Sequence, residues 1–248
     1  MSADRRPIGV IGPAIAVAVV FLALLGLGKW QLDRKVWKEA LIATLTERLT
    51  AAPSALPSRE RWGSLDPAAD EYRRVRFAAE LSASEEALVF TSGSAFRPDV
   101  SGPGYWIFAP AKLPDGGVVV VNRGFVPEGR QGEPRRNVGA LTEMVGALRW
   151  PEQAGFFMPA AEEAHNLWFV RDQVAIAKAK NWGEVAPFFI ELESPVPPGG
   201  LPIPGALQVS LPNDHLQYAI TWFGLAAVLA VSFGFWLRSR FTSAPPSR

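Results

Sequence analysis

The sequence predicts an α+β membrane protein: two transmembrane helices flanking a mostly antiparallel β extramembrane domain. Three observations predict it. Pro7 to Gly28 and Leu216 to Leu237 are two runs of 22 residues without an ionisable side chain, and a helix needs about 20 apolar residues to cross ~30 Å of hydrocarbon. The runs lie near the two ends of the chain, dividing it into spans at 7–28 and 215–237, a middle section at 29–214 and a tail at 238–248. Within the middle section strand-like runs outnumber helical ones, and hairpins predominate.

Composition narrows the chemistry. None of the 248 residues is Cys, two are His and three are Met. Disulfides, iron–sulfur clusters, thiol nucleophiles and thiolate-bound zinc are therefore excluded. The net charge of +1 gives no reason to expect nucleic acid. The middle section carries 20 basic and 23 acidic side chains, net −3, with no basic patch for it.

The first span reads as an uncleaved anchor. Arg5 and Arg6 precede it like a basic n-region, but the apolar run is too long for a signal peptide and enters Gly28-Lys29-Trp30-Gln31 without a small-x-small cleavage site. The Arg pair is too short a signature for twin-arginine export. Only six residues precede Pro7, which favours a bacterial plasma membrane over a mitochondrial transit peptide. Arg238, Arg240 and Arg248 follow the second span, and the preceding 20 or so residues contain no Lys or Arg. Positive charge marks the cytoplasmic side, so both termini are expected there and 29–214 in the periplasm. Lys29, Arg34, Lys35 and Lys38 oppose this, but long loops translocate largely regardless of charge.

Along the middle section, apolar Leu32, Val36, Ile42, Leu45 and Leu49 predict an amphipathic helix over 32–49. Ala51 to Asp70, rich in Pro, Ser and Ala, reads as a linker. Tyr72 to Leu81 and Ala87 to Thr91 read as strands. Tyr105 to Leu113 and Val118 to Val121, joined by Pro114-Asp115-Gly116-Gly117, make a hairpin, because Gly accepts the positive φ its turn needs. Glu128 to Asn137 is a polar loop, Thr142 to Trp150 a strand, Asp172 to Lys180 a short helix of good formers, and Pro187 to Leu192 a last strand. Pro195 to Pro212 is a Pro/Gly connector.

No enzyme is expected. The sequence has no Gly-x-Ser-x-Gly, Walker, His-Glu-x-x-His or Gly-x-Gly-x-x-Gly motif. Thr91-Ser92-Gly93-Ser94 is only superficially a nucleophile turn, and the pairs Glu85–Glu86 and Glu162–Glu163 read as solvated faces. His165 reads as a surface loop residue. The informative constellation opens the second span. Asn213 is placed to cap it, and His215, Tyr218, Ala219, Trp222 and Ala226 share one helical stripe. Two readings fit. His215 could ligate haem iron with the macrocycle against Tyr218 and Trp222, the alanines leaving room; or the stripe is an interfacial belt, where His, Tyr and Trp sit routinely. Arg123, leaving an apolar strand, could grip either a carboxylate of its own domain or a haem propionate.

Several blocks together resemble a known family. They are Gly28-Lys29-Trp30-Gln31-Leu32-Asp33-Arg34 with Lys38, Glu71-Tyr72-Arg73-Arg74-Val75, Val119 to Pro127 around Asn122-Arg123-Gly124, Asn166-Leu167-Trp168-Phe169 with Arg171-Asp172, and Asn213 to Phe223. In this order, between two terminal spans, they are similar to the surfeit locus protein one family of cytochrome c oxidase assembly factors. At Ala78–Ala79 the family commonly has a Gly, which leaves the bend of that strand open. The resemblance implies a non-enzymatic factor that binds haem a and assists its delivery to oxidase subunit I. His215 would be the leading metal ligand, and Tyr218, Trp222 and Arg123 cofactor-binding candidates. The implied partners are subunit I, haem a synthase and membrane lipids. The alternative is a scaffold that stabilises an assembly intermediate without binding haem. A copper chaperone is disfavoured, because Cu(I) selects thiolate and thioether ligands.

Overall fold

The computed structural model describes residues 8–82, 85–94, 96–133 and 141–242. Arg5, Arg6 and Pro7, the end of the polar loop at 134–137 and the tail beyond 242 lie outside the described residues. The chain divides into two compact units: Ala43–Leu211, and the N-terminal segment to Ile42 together with the chain from Pro212 on.

The second of these holds two long apolar helices. The first, α1, runs Ile8–Thr50 without a break, with its part to Ile42 in this unit and its end from Ala43 in the other, merging the predicted span with the predicted amphipathic helix. Nothing between Gly28 and Leu32 stops a helix, since no proline or turn sequence follows the glycine. The last helix spans His215–Thr242. Both are long and apolar enough to cross a membrane.

The other unit is built on one sheet. Its strands are β1 (Ser54–Ala55), β2 (Arg74–Leu81), β3 (Ala87–Gly93), β4 (Ser101–Lys112), β5 (Val118–Pro127), β6 (Thr142–Arg149), β7 (Leu167–Trp168) and β8 (Phe189–Ser194). They lie in the order β1-β2-β6-β8-β5-β4-β3-β7, and β2 also pairs with β4 through Glu80↔Lys112 and Leu81↔Ala111. That extra pairing closes β2, β6, β8, β5 and β4 into a ring, a small barrel. Alternate residues line its inside: Val75, Phe77, Ala79 and Leu81 of β2, Ala109 and Ala111 of β4, Val119 and Val121 of β5, Met144 and Leu148 of β6, and Ile190 and Leu192 of β8. This is the period of two expected of a strand with one buried face. The opposite face packs Trp106, Phe108, Val120 and Phe189 against Ile176 and Ala177 of α3 (Gln173–Lys180). Asp172 caps α3, accepting from the backbone N–H groups of Val174 and Ala175 at 3.0 Å.

The hairpin forms as read. Leu113 N donates to the Gly117 carbonyl at 2.8 Å, and Gly116 takes φ +83°. Pairing is mostly antiparallel, with parallel exceptions at β1–β2, β3–β7 and β5–β8. Through Ala78–Ala79 the β2–β6 register is unbroken, so no bulge occurs there. Three readings need correction. The strand expected from Tyr72 starts at Arg74, because Tyr72 takes φ +67°, outside the strand region. The 51–70 segment is no free linker. It carries β1, a 3-10 turn at Arg59–Ser64 and α2 at Pro67–Asp70, and it drops Trp62 into the barrel cluster edge-on to Phe188. Asn213 does not cap the last helix (α4). That helix starts at His215, with the Asp214 carbonyl accepting from Tyr218 N, and the buried Asn213 Oδ1 has no hydrogen-bond partner among the described residues.

Candidate functional site

Within the helical unit, α1 and α4 run antiparallel and touch at named points. Gly28 lies under the Phe223 ring so closely that a Cβ there would fall 2.6 Å from it. One turn on, Gln31 Oε1 lies 2.7 Å from His215 Nδ1. Further along, Lys38 Nζ donates to the Pro212 carbonyl. His215 is half-buried, and Gln31 is only 9% exposed.

The stripe of α4 has two sides. Ala219 and Ala226 are 1% and 2% exposed. Small residues let a neighbouring backbone approach closely, so the room the alanines were expected to leave is taken up in packing. Trp222 is half-buried, while Tyr218 stands 56% exposed. The open part of the stripe is therefore the His215–Tyr218 end. Among the described residues no three His, Asp or Glu side chains cluster closely enough to hold a metal ion.

The remaining candidate, Arg123, sits in the sheet unit with its side chain 2% exposed and ion-paired to Glu86. Of the two partners the sequence allowed it, the structure shows the carboxylate. Glu86 itself is buried, which corrects its reading as part of a solvated face; Glu85 is exposed. Beside the pair, Asn122 Nδ2 donates to Glu191 Oε1 at 2.9 Å and its Oδ1 accepts from Gly124 N at 3.1 Å. Gly124 is required there: it takes φ +125°, and a Cβ would meet the Ile203 carbonyl oxygen at 2.3 Å. Arg171 reaches Glu152 and lies 3.6 Å from Glu191, and Arg149 bonds Glu71 at 3.1 Å with its guanidinium 4.8 Å over Tyr72. Burial and the Glu71 charge act to raise the Tyr72 hydroxyl and outweigh Arg149, so its pKa is raised. Lys180 Nζ donates to Asn166 Oδ1, and Asn166 Nδ2 to the Glu86 carbonyl, each within 3.0 Å. The Asn-Arg-Gly, Tyr-Arg-Arg and Arg-Asp blocks thus hold the sheet unit together.

A cavity of about 450 Å³ in the same unit is lined by Val89, Phe90, Trp106 and Phe169, with Glu152 and Arg171 at its charged side. Those two pair with each other, so neither is a free charge facing the cavity. His165 lies on an exposed 3-10 turn, its Nδ1 3.2 Å from Glu162 Oε2. What sequence reasoning missed is Gln31. The available signal was an uncharged polar residue just past the apolar run, in a block otherwise explained only by resemblance.

A model described as the SURF1 family matches residues 18–227 of the chain. The Surfeit locus protein 1 of Rattus norvegicus is 33% identical over 234 residues, covering 89% of this chain and 73% of that protein. That of Homo sapiens is 34% identical over 218 residues, covering 82% and 70%. A SURF1-like protein of Monosiga brevicollis is 32% identical over 265 aligned residues, covering 100% and 97%.

Proposed function

The chain belongs to the SURF1 family, and from that premise we propose that it is a non-enzymatic assembly factor for a haem–copper terminal oxidase, binding haem a through His215 and assisting its delivery to subunit I. The observation that carries this reading is the state of His215. Its Nδ1 is engaged by Gln31, while no side chain among the described residues bonds its other ring nitrogen. Neutral imidazole with one free lone pair is an ordinary axial haem ligand, so the donor present fits the group. Haem a would be held by His215 through that lone pair, and would supply an iron centre and a flat, mostly apolar ring.

The chain's own residues do the rest. Exposed Tyr218 offers an aromatic face one turn from His215, and Trp222 extends it. One protein ligand holds the group less firmly than two, which suits a carrier that must release its load. Arg123, committed to Glu86, supports the domain instead of a propionate. The setting we propose is a bacterial plasma membrane, with both termini cytoplasmic and the sheet unit in the periplasm, on the Lys/Arg asymmetry around the second span. Subunit I, haem a synthase and membrane lipids are the partners.

The test is an absorption spectrum of full-length protein purified after coexpression with haem a synthesis. Wild type is expected to carry pigment, and His215→Ala to insert normally but lose it. A colourless wild type under abundant haem a favours the scaffold reading, in which the α1–α4 pair and the sheet unit hold an assembly intermediate. An Ala variant that keeps full pigment moves the ligand away from His215.

A further inference from the structure

We propose that Gln31 is the positioning residue of this site: by accepting a hydrogen bond from His215 Nδ1–H it fixes the imidazole in the tautomer whose Nε2 is the ligating nitrogen. The inference deepens the haem reading above and rests on it. The contact is short, 2.7 Å from Oε1 to Nδ1, and joins residues 184 apart in sequence. An amide oxygen has no proton to give, so the nitrogen facing it must carry one. A neutral imidazole has a single N–H. Placing it on Nδ1 therefore leaves the lone pair on Nε2. Metal-ligating histidines are oriented in this way by an acceptor on the second nitrogen, which also raises the basicity of the first.

The bracing is built into the helix pair. Gly28, Gln31 and Lys38 fall within about 80° on α1, given ~100° per residue. Each meets α4 or the residues leading into it: Gly28 under Phe223, Gln31 on His215, Lys38 on the Pro212 carbonyl. Gly28 sets how closely the helices approach, since any side chain there must displace the Phe223 ring. At that separation the Gln31 amide reaches His215. Gln31 is 9% exposed, with little water to replace the bond, so the other tautomer would leave two lone pairs facing each other. This accounts for the Gly-Lys-Trp-Gln block, to which neither sheet packing nor haem contact assigns a task.

The experiment uses the full chain in lipid nanodiscs and reads two signals. The first needs no haem: ¹⁵N shifts of labelled histidine report which ring nitrogen is protonated. The chain has two histidines, so His215→Ala assigns the spectrum. Wild type is expected to show His215 protonated on Nδ1, the near-isosteric Gln31→Met to shift it toward Nε2, and Gln31→Glu, which keeps the acceptor, to retain Nδ1. The second signal is titration with haem a. Gln31→Met is expected to bind about 10- to 100-fold more weakly, while Gln31→Glu keeps affinity and shifts the iron–histidine stretching frequency. If His215→Ala loses haem but Gln31→Met changes neither tautomer nor affinity, Gln31 has no positioning role and the haem reading stands. If the tautomer responds to Gln31 but wild type and His215→Ala bind haem a alike, the haem reading fails and the proposal with it.

Discussion

Arg123 and Glu86 are buried together, and burial sets the cost of separating them. Removing one partner of such a pair leaves an uncompensated charge, so Arg123→Ala should destabilise the sheet unit by about 3–5 kcal/mol, whereas replacing both by apolar residues of similar volume should cost far less. Denaturant unfolding of Arg123→Ala and of the double variant Arg123→Met/Glu86→Leu measures the difference. If the single variant unfolds like wild type, the pair does not hold the unit. Glu152 makes a pH-dependent case. Burial works against its charge, but Arg171 and then Arg149 hold its carboxyl below the ordinary value. A carboxyl depressed in the fold contributes stability above its unfolded pKa of about 4.3 and loses it as pH falls through the lower folded value. Glu152→Gln should therefore unfold more readily than wild type at neutral pH, with the gap closing on acidification. A gap equal at every pH would mean the two arginines do not hold the carboxylate. The side chain is 39% exposed, so solvent screening keeps the effect small.

Among the elements, the α1–α4 pair depends on a missing side chain. At Gly28 the obstacle to a Cβ is the far end of the Phe223 ring, not backbone, which makes the clash reversible. Gly28→Val should loosen the pair and, by withdrawing Gln31 from His215, weaken haem a binding about 10-fold or more. Shortening the neighbour, as in Gly28→Ala/Phe223→Ala, should restore binding relative to Gly28→Val. Haem titration of the three proteins checks it, and unchanged affinity in Gly28→Val would show that helix separation does not set the site. The helices themselves were legible, because an uncharged run of 22 residues is a local property. The continuity of α1 was harder to see. A change from all-apolar to amphipathic marks a change of surroundings, not of backbone. The 51–70 segment was misread for the opposite reason. Its Pro and Ser content is turn-like, but Trp62 finds a buried place beside Phe188 that no local pattern announces.

For the whole molecule, the Lys/Arg asymmetry leads to a topology prediction. An alkaline phosphatase reporter fused near Gly132 should be active and one after Arg248 inactive; the reverse pattern overturns the orientation. The sequence by itself determined the two apolar helices, the hairpin, the alternating strands, the short helix read over 172–180 and the family. All are set by neighbours within a few residues, or by blocks whose order survives in the chain. Only the tertiary structure decided the rest. The barrel closes through Glu80↔Lys112 and Leu81↔Ala111, a pairing that depends on the twist of five strands together. Glu86 became the partner of an arginine 37 positions away, and Ala219 and Ala226 became packing instead of open space. Gln31 met His215 across 184 residues. Hydrogen bonds and ion pairs act over a few ångströms in space, and separation along the chain carries no record of which distant residues will come within that reach.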